Sequence, residues 1–132
     1  MNRRLILRLA ALLGAASVAL GAFGAHGLQA IVSADRVVIF ETGVRYAFYH
    51  TFALGLAGAV YEQAYMHVAR LGTAVWLWLA GVLLFSGSLF LLAFRDIAPV
   101  PVSVLGPITP VGGLLLIAGW FTLFFSVKSN TP

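Results

Sequence analysis

Long apolar runs alternate with short polar or proline-rich stretches along the chain, and four of them stand out: residues 5–23, 44–61, 71–94 and 111–127. At about 1.5 Å per residue, each can cross a hydrocarbon core of about 30 Å, the shortest with little tilt. None holds a proline beyond its first turn. A lipid-facing strand would alternate every second residue, and these runs do not, so the pattern predicts four helices. The second begins before its apolar part, with an amphipathic lead-in over 34–43. Ser33 is its expected N-cap, and Asp35 sits in the first turn, where a carboxylate suits the positive helix end. Tyr46 and Tyr49 mark one water boundary of this span, Tyr61 and Tyr65 the other. Residues 95–110 hold four of the five prolines and almost no charge. Proline breaks helices, so this stretch is expected to pack on the bundle or fold back into the headgroup region. Thr109 would then cap the fourth helix, with Pro110 at its first position.

Composition narrows the class. Of 132 residues, 61% are apolar and 9% charged, too few charges to cover a soluble domain of this length. The length suits a single domain, and the fold class is all-α, an integral membrane four-helix bundle. The net charge of +4 does not indicate nucleic acid, because the basic residues are scattered at the ends of apolar runs rather than gathered into a stripe. The absence of cysteine rules out disulfides, thiolate metal sites and a cysteine nucleophile. The first run follows a basic start, MNRRLILR, as a signal peptide would, but its 19 residues exceed the usual h-region. It is read as a retained helix. With the N-terminus inside, Arg3, Arg4, Arg8, Arg70 and Lys128 lie on the inner side, and Arg36, Arg45 and Arg95 on the outer. That bias predicts both termini in the cytoplasm.

In lipid, helices associate through close backbone approach, which small residues permit. On the first helix Ala10, Gly14, Ser17, Gly21 and Gly24 form one small-residue stripe at helical spacing. The second helix carries a matching stripe of Gly43, Tyr46, His50, Ala53 and Ala57, with Phe48 and Phe52 turned to lipid. The third offers Ala74, Gly81 and Ser88 at heptad spacing, the fourth Gly112 and Gly119. Gly14, Ser17, Gly21, Gly24, Gly81, Ser88 and Gly119 are therefore the expected packing positions.

The polar remainder is sparse. His50 lies inside the second span, where an ionisable group is costly and needs a partner. The structural reading is a neutral imidazole bonded to Tyr46, Ser17 or a backbone carbonyl, locking the first helix to the second. The functional reading is a ligand contact or proton relay. If the first loop is tight, His26, Tyr46 and His50 gather in the outer half, and the TPVGG helix end with Thr109 and Gly112 joins them as a pocket. Such a pocket would suit a quinone, a lipid headgroup or another small solute. Two histidines with Glu41 would be a minimal metal set, but no ligand spacing supports it. Glu41 and Arg45, four residues apart, are expected to pair, the alternative being Arg45 on a lipid phosphate. No nucleophile–base pair, paired carboxylates or phosphate loop is found, so no catalytic residue, metal or cofactor is assigned.

The segments GAFGAHGL, FETGVRYAFYHTFALGL, LFSGSLFLL and ITPVGGLLLIAGW occur in the order typical of the YgdD family, domain-of-unknown-function family 423, to which animal transmembrane protein 256 is similar. The chain resembles that family over nearly its whole length. The resemblance implies a small four-span protein of the bacterial cytoplasmic membrane or the mitochondrion, and it carries no catalytic residues across. The resulting expectation is a non-enzymatic membrane protein acting through protein or lipid contacts. Its partners would be membrane lipids and a second copy or another membrane protein, not nucleic acid.

Overall fold

A computed structural model describes residues 1–99 and 101–129. Four helices follow one another: α1 (Arg3–His26), α2 (Ala34–Val60), α3 (Val68–Ala93) and α4 (Val102–Phe124), with a short 3-10 turn, Leu28–Ala30, between the first two. The side chain of Asn2 starts α1 by accepting the Leu5 N–H at 2.9 Å. Ser33 occupies the N-cap position of α2, but its side chain makes no capping bond. Its backbone carbonyl instead accepts from Arg36 and Val37. By length and composition α1, α3 and α4 can each cross a membrane. α2 is the longest at 27 residues, about 40 Å. Its four charges, Asp35, Arg36, Glu41 and Arg45, all fall in its first twelve residues.

The start of the last helix departs from expectation. α4 begins at Val102, capped by Pro101, and carries Pro107 and Pro110 inside it. Thr109 is therefore not a cap, Pro110 is not a first residue, and 102–110 is not a loop. Each proline denies a hydrogen bond to the carbonyl four residues back, that of Ser103 and of Gly106, both exposed in the first turns. Carbonyls so placed can find other donors, and helices in membranes tolerate proline on that basis.

The helices pack in series, α1 on α2, α2 on α3 and α3 on α4, while α1 and α4 share no extensive interface among the described residues. The α3/α4 seam is antiparallel and regular. Ser88 faces Thr109, Gly112 sits on the backbone of Phe85, Gly81 receives Leu116, and Gly119 receives Trp78. Every step of three or four residues down α3 is matched by an equal step up α4. Each of the last three layers sets a glycine against a bulky residue. A Cβ on Gly81 would come 2.5 Å from Leu116 Cδ2, and one on Gly112 would collide with the Phe85 main chain. The α1/α2 seam follows the same rule: Gly58 receives Leu7, Gly14 the Thr51 methyl, Gly21 Val44, and Gly24 the Phe40 ring. Lipid tails are as apolar as leucine and leave no hydrophobic gain between helices, so this fit is what holds neighbours together.

The main core gathers Ile6, Leu54, Leu71, Val75, Trp78 and Leu116, and a second cluster at the far end joins Leu28, Val37, Phe40 and Ala93. Large apolar side chains such as Leu12, Val18, Trp76, Leu83, Ile117 and Phe121 remain outside, an apolar belt too extensive for water. Polar contacts gather at the two ends. Arg3 pairs with Glu62 at 3.2 Å, and the Tyr61 hydroxyl donates to the Met1 carbonyl, at one end. At the other, Arg36 pairs with Asp96 at 2.8 Å and Arg95 with the same carboxylate at 3.5 Å.

Candidate functional site

α2 lies between α1 and α3 and so has two packed faces. One, carrying Val44, Thr51 and Gly58, meets α1, and the Phe40 ring bridges the two faces, against Gly24 of α1 and Phe90 of α3. The other carries the stripe of Gly43, Tyr46 and His50, and it meets α3 rather than α1. Gly43 touches Phe90 and the Ser86 carbonyl, and the Tyr46 ring packs on Phe85 with centroids 4.7 Å apart. His50 is buried against a pair of packed indoles, with Trp78 at 6.3 Å, Trp120 at 6.1 Å and the two indoles 5.0 Å from each other, centroid to centroid.

Hydrogen bonding fixes the state of this imidazole. Nδ1 lies 2.7 Å from the Tyr46 backbone carbonyl, which can only accept, so Nδ1 carries the proton. Nε2 is then the acceptor, and Trp120 donates its Nε1–H to it at 3.3 Å. The neutral Nδ1–H tautomer satisfies both contacts at once. Trp78 is buried with its own Nε1–H unpartnered among the described residues, on the side of the ring that faces Gly119. Of the partners expected from sequence, the backbone carbonyl is the one found, that of Tyr46, while the side chains of Ser17 and Tyr46 are not. The Ser17 hydroxyl donates back to the Leu13 carbonyl, and the Tyr46 side chain packs rather than bonds. His50 joins α2 to α3 and α4, not to α1.

The expected outer cluster does not assemble. His26 ends α1 and is exposed. Gly14, at the level of Thr51 beside His50, lies twelve residues back along α1, about 18 Å away. Among the described residues no three His, Asp or Glu side chains come together as metal ligands. Glu41 and Arg45 are both exposed, and neither is in an ion pair among the described residues. They line a shallow groove with Ser17, Gly21 and Gly24, since an exposed i,i+4 pair gains too little to fix two long side chains. Thr109 and Gly112 sit within α4, away from any helix end. The Thr109 hydroxyl lies 2.7 Å from that of Ser88 and also bonds the Leu105 carbonyl, while Gly112 is consumed by Phe85. Gly119, Gly81 and Ser88 stand in the same seam.

Sequence reasoning did not single out Trp78 and Trp120. Trp78 completes the three-and-four spacing of 74, 78, 81, 85 and 88, so extending that heptad would have found it. A cavity of about 780 Å³ opens where α3 begins and α4 ends, beside Arg70 and Lys128, at the end opposite to the one expected.

A family model described as "Protein of unknown function (DUF423)" matches residues 20–113. The chain belongs to the DUF423 family. Among relatives, a UPF0382 membrane protein of Staphylococcus haemolyticus is 42% identical over 93% of this chain and 94% of its own length. One of Haemophilus influenzae is 44% identical over 95% of each chain, and YwdK of Bacillus subtilis, also a UPF0382 membrane protein, is 38% identical over 81% and 82%. No solved structure matches. The DUF423 match spans the last seven residues of α1 through the first half of α4, and so includes His50, Trp78, Phe85 and Gly112.

Proposed function

We propose that this DUF423 protein is a non-enzymatic, four-span protein of the cytoplasmic membrane that acts through contacts with lipid or with other membrane proteins, both termini facing the cytoplasm. The observation that carries the reading is that both ring nitrogens of His50 are engaged, by the Tyr46 carbonyl and the Trp120 indole. An imidazole so occupied is a joint between helices rather than a base awaiting a substrate. The crossing of α2 is supported by its 15 uncharged residues from Tyr46 to Val60 and by its place between α1 and α3. The orientation rests on the basic residues at the end that holds Arg3, Arg70 and Lys128.

Alanine in place of His50 or Tyr46 tests the reading. The expected result is a lower thermal midpoint in detergent with no chemical activity lost. Purified protein that turns over a substrate, with either alanine variant folded but inactive, would overturn it.

A further inference from the structure

The groove between the start of α3 and the end of α4 has the build of a lipid site. Arg70 and Lys128 line it, and no acidic side chain does among the described residues. The carboxylate of Glu62, at the same end, is engaged by Arg3. Each cation is held in place by one bond to main chain: Arg70 Nη1 donates to the Phe125 carbonyl at 2.8 Å, Lys128 Nζ to that of Ala64 at 2.7 Å. A guanidinium has five N–H donors and an ammonium three, so both keep donors for an anion.

α3 starts here as well. Its N-cap residue His67 and its third residue Arg70 both line the groove, and no side chain caps the helix. Its positive end therefore adds to the two cations. The floor is fixed by the segment after α4, which pairs antiparallel with the α2–α3 loop at Met66 and Val127. There the His67 N–H donates to the Ser126 carbonyl at 2.7 Å, and the Lys128 N–H to that of Tyr65 at 2.8 Å.

The groove does not end at the charges. Trp120 and Phe124 line both it and a second, apolar cavity of about 280 Å³ along α4 with Ile117 and Phe121. A cationic seat thus runs into an uncharged track on the exposed face of a membrane helix.

We propose that this groove holds an anionic phospholipid, its phosphodiester headgroup on Arg70 and Lys128 and one acyl chain along Ile117, Phe121 and Phe124. A zwitterionic lipid would bring its own cation against the same two side chains, so the site discriminates by charge. The proposal rests on the reading that this end of the protein lies at the membrane surface.

Native mass spectrometry of the full chain, delipidated in mild detergent and offered equal phosphatidylglycerol and phosphatidylcholine with identical acyl chains, tests it. We expect retained phosphatidylglycerol to exceed phosphatidylcholine by about tenfold, the preference to vanish in R70Q/K128Q, and to persist in R70K/K128R. Equal retention of the two lipids by the parent protein would overturn the proposal, whatever the folding of the variants. So would displacement of phosphatidylglycerol by millimolar inorganic phosphate, since the acyl track would then contribute nothing. A single cysteine at Lys128, in a chain with none of its own, separates this from the reading beneath it. Labelling by a membrane-impermeant maleimide places the groove at the surface even where the lipid preference fails.

Discussion

His50 is the one buried ionisable side chain among the described residues, and both nitrogens of its ring are engaged. Its ring spans two helices beyond its own, with an imidazole acceptor facing an indole donor. Interhelical bonds of this kind contribute about 0.6 kcal/mol on average in membranes. His50→Ala, Trp120→Phe and the double variant, compared by denaturation in detergent, should therefore show a coupling of about that size. Strictly additive losses would mean that the two rings do not bond. That a buried histidine needs a partner could be read from the sequence, because its position inside an apolar run is plain. Which partner could not. The candidates named were Tyr46, Ser17 or a backbone carbonyl, and the carbonyl of Tyr46 is one partner, whereas the ring that completes the contact comes from 70 residues away.

At the scale of the elements, helix identity was legible and helix ends were less so. The apolar runs located α1 and α3 well, because lipid demands about twenty apolar residues and nothing else in the chain supplies them. The start of α4 was misread by eight residues, since Pro107 and Pro110 signal a break in water. In a membrane protein the neighbouring helix can hold such a segment helical: Ser88 bonds Thr109, between the two prolines, and Gly112 lies on the Phe85 backbone just after them. Ion pairing was likewise misplaced. Arg36 at the start of α2 bonds Asp96 just beyond α3, with Arg95 beside it, in place of the local Glu41–Arg45 pair.

That contact has a pH signature. The Arg36 hydrogen bond, backed by the charges of Arg36 and Arg95, holds the Asp96 carboxyl below its ordinary 3.8. A carboxylate depressed on folding stabilises the folded state above its unfolded pKa and ceases to do so as pH falls through the folded one. Asp96→Asn should thus be less stable than the parent at neutral pH, and the gap should close as pH falls below about 3.8. A gap that persists in acid would show that Asp96 acts otherwise than through its charge.

Across the whole molecule, the helices form a serial array in which each neighbour is admitted by glycine. The small-residue stripes were visible in the sequence, because a period of 3.6 groups them on one face. The complementary half of the rule was not, because the register between helices is set by the bulky partner. Trp78, Phe85 and Leu116 each find a glycine opposite only once α3 and α4 are laid side by side. The claim that glycine seams hold the array is most directly tested by thermal denaturation of Gly112→Ala beside Gly55→Ala. A Cβ at Gly112 meets the Phe85 main chain, which has nowhere to go, whereas one at Gly55 meets nothing within 4 Å. The account predicts that Gly112→Ala loses about 1–3 kcal/mol, while Gly55→Ala, in open space within a helix, is neutral or gains about 0.5–1 kcal/mol. Equal midpoints for the two variants would contradict it.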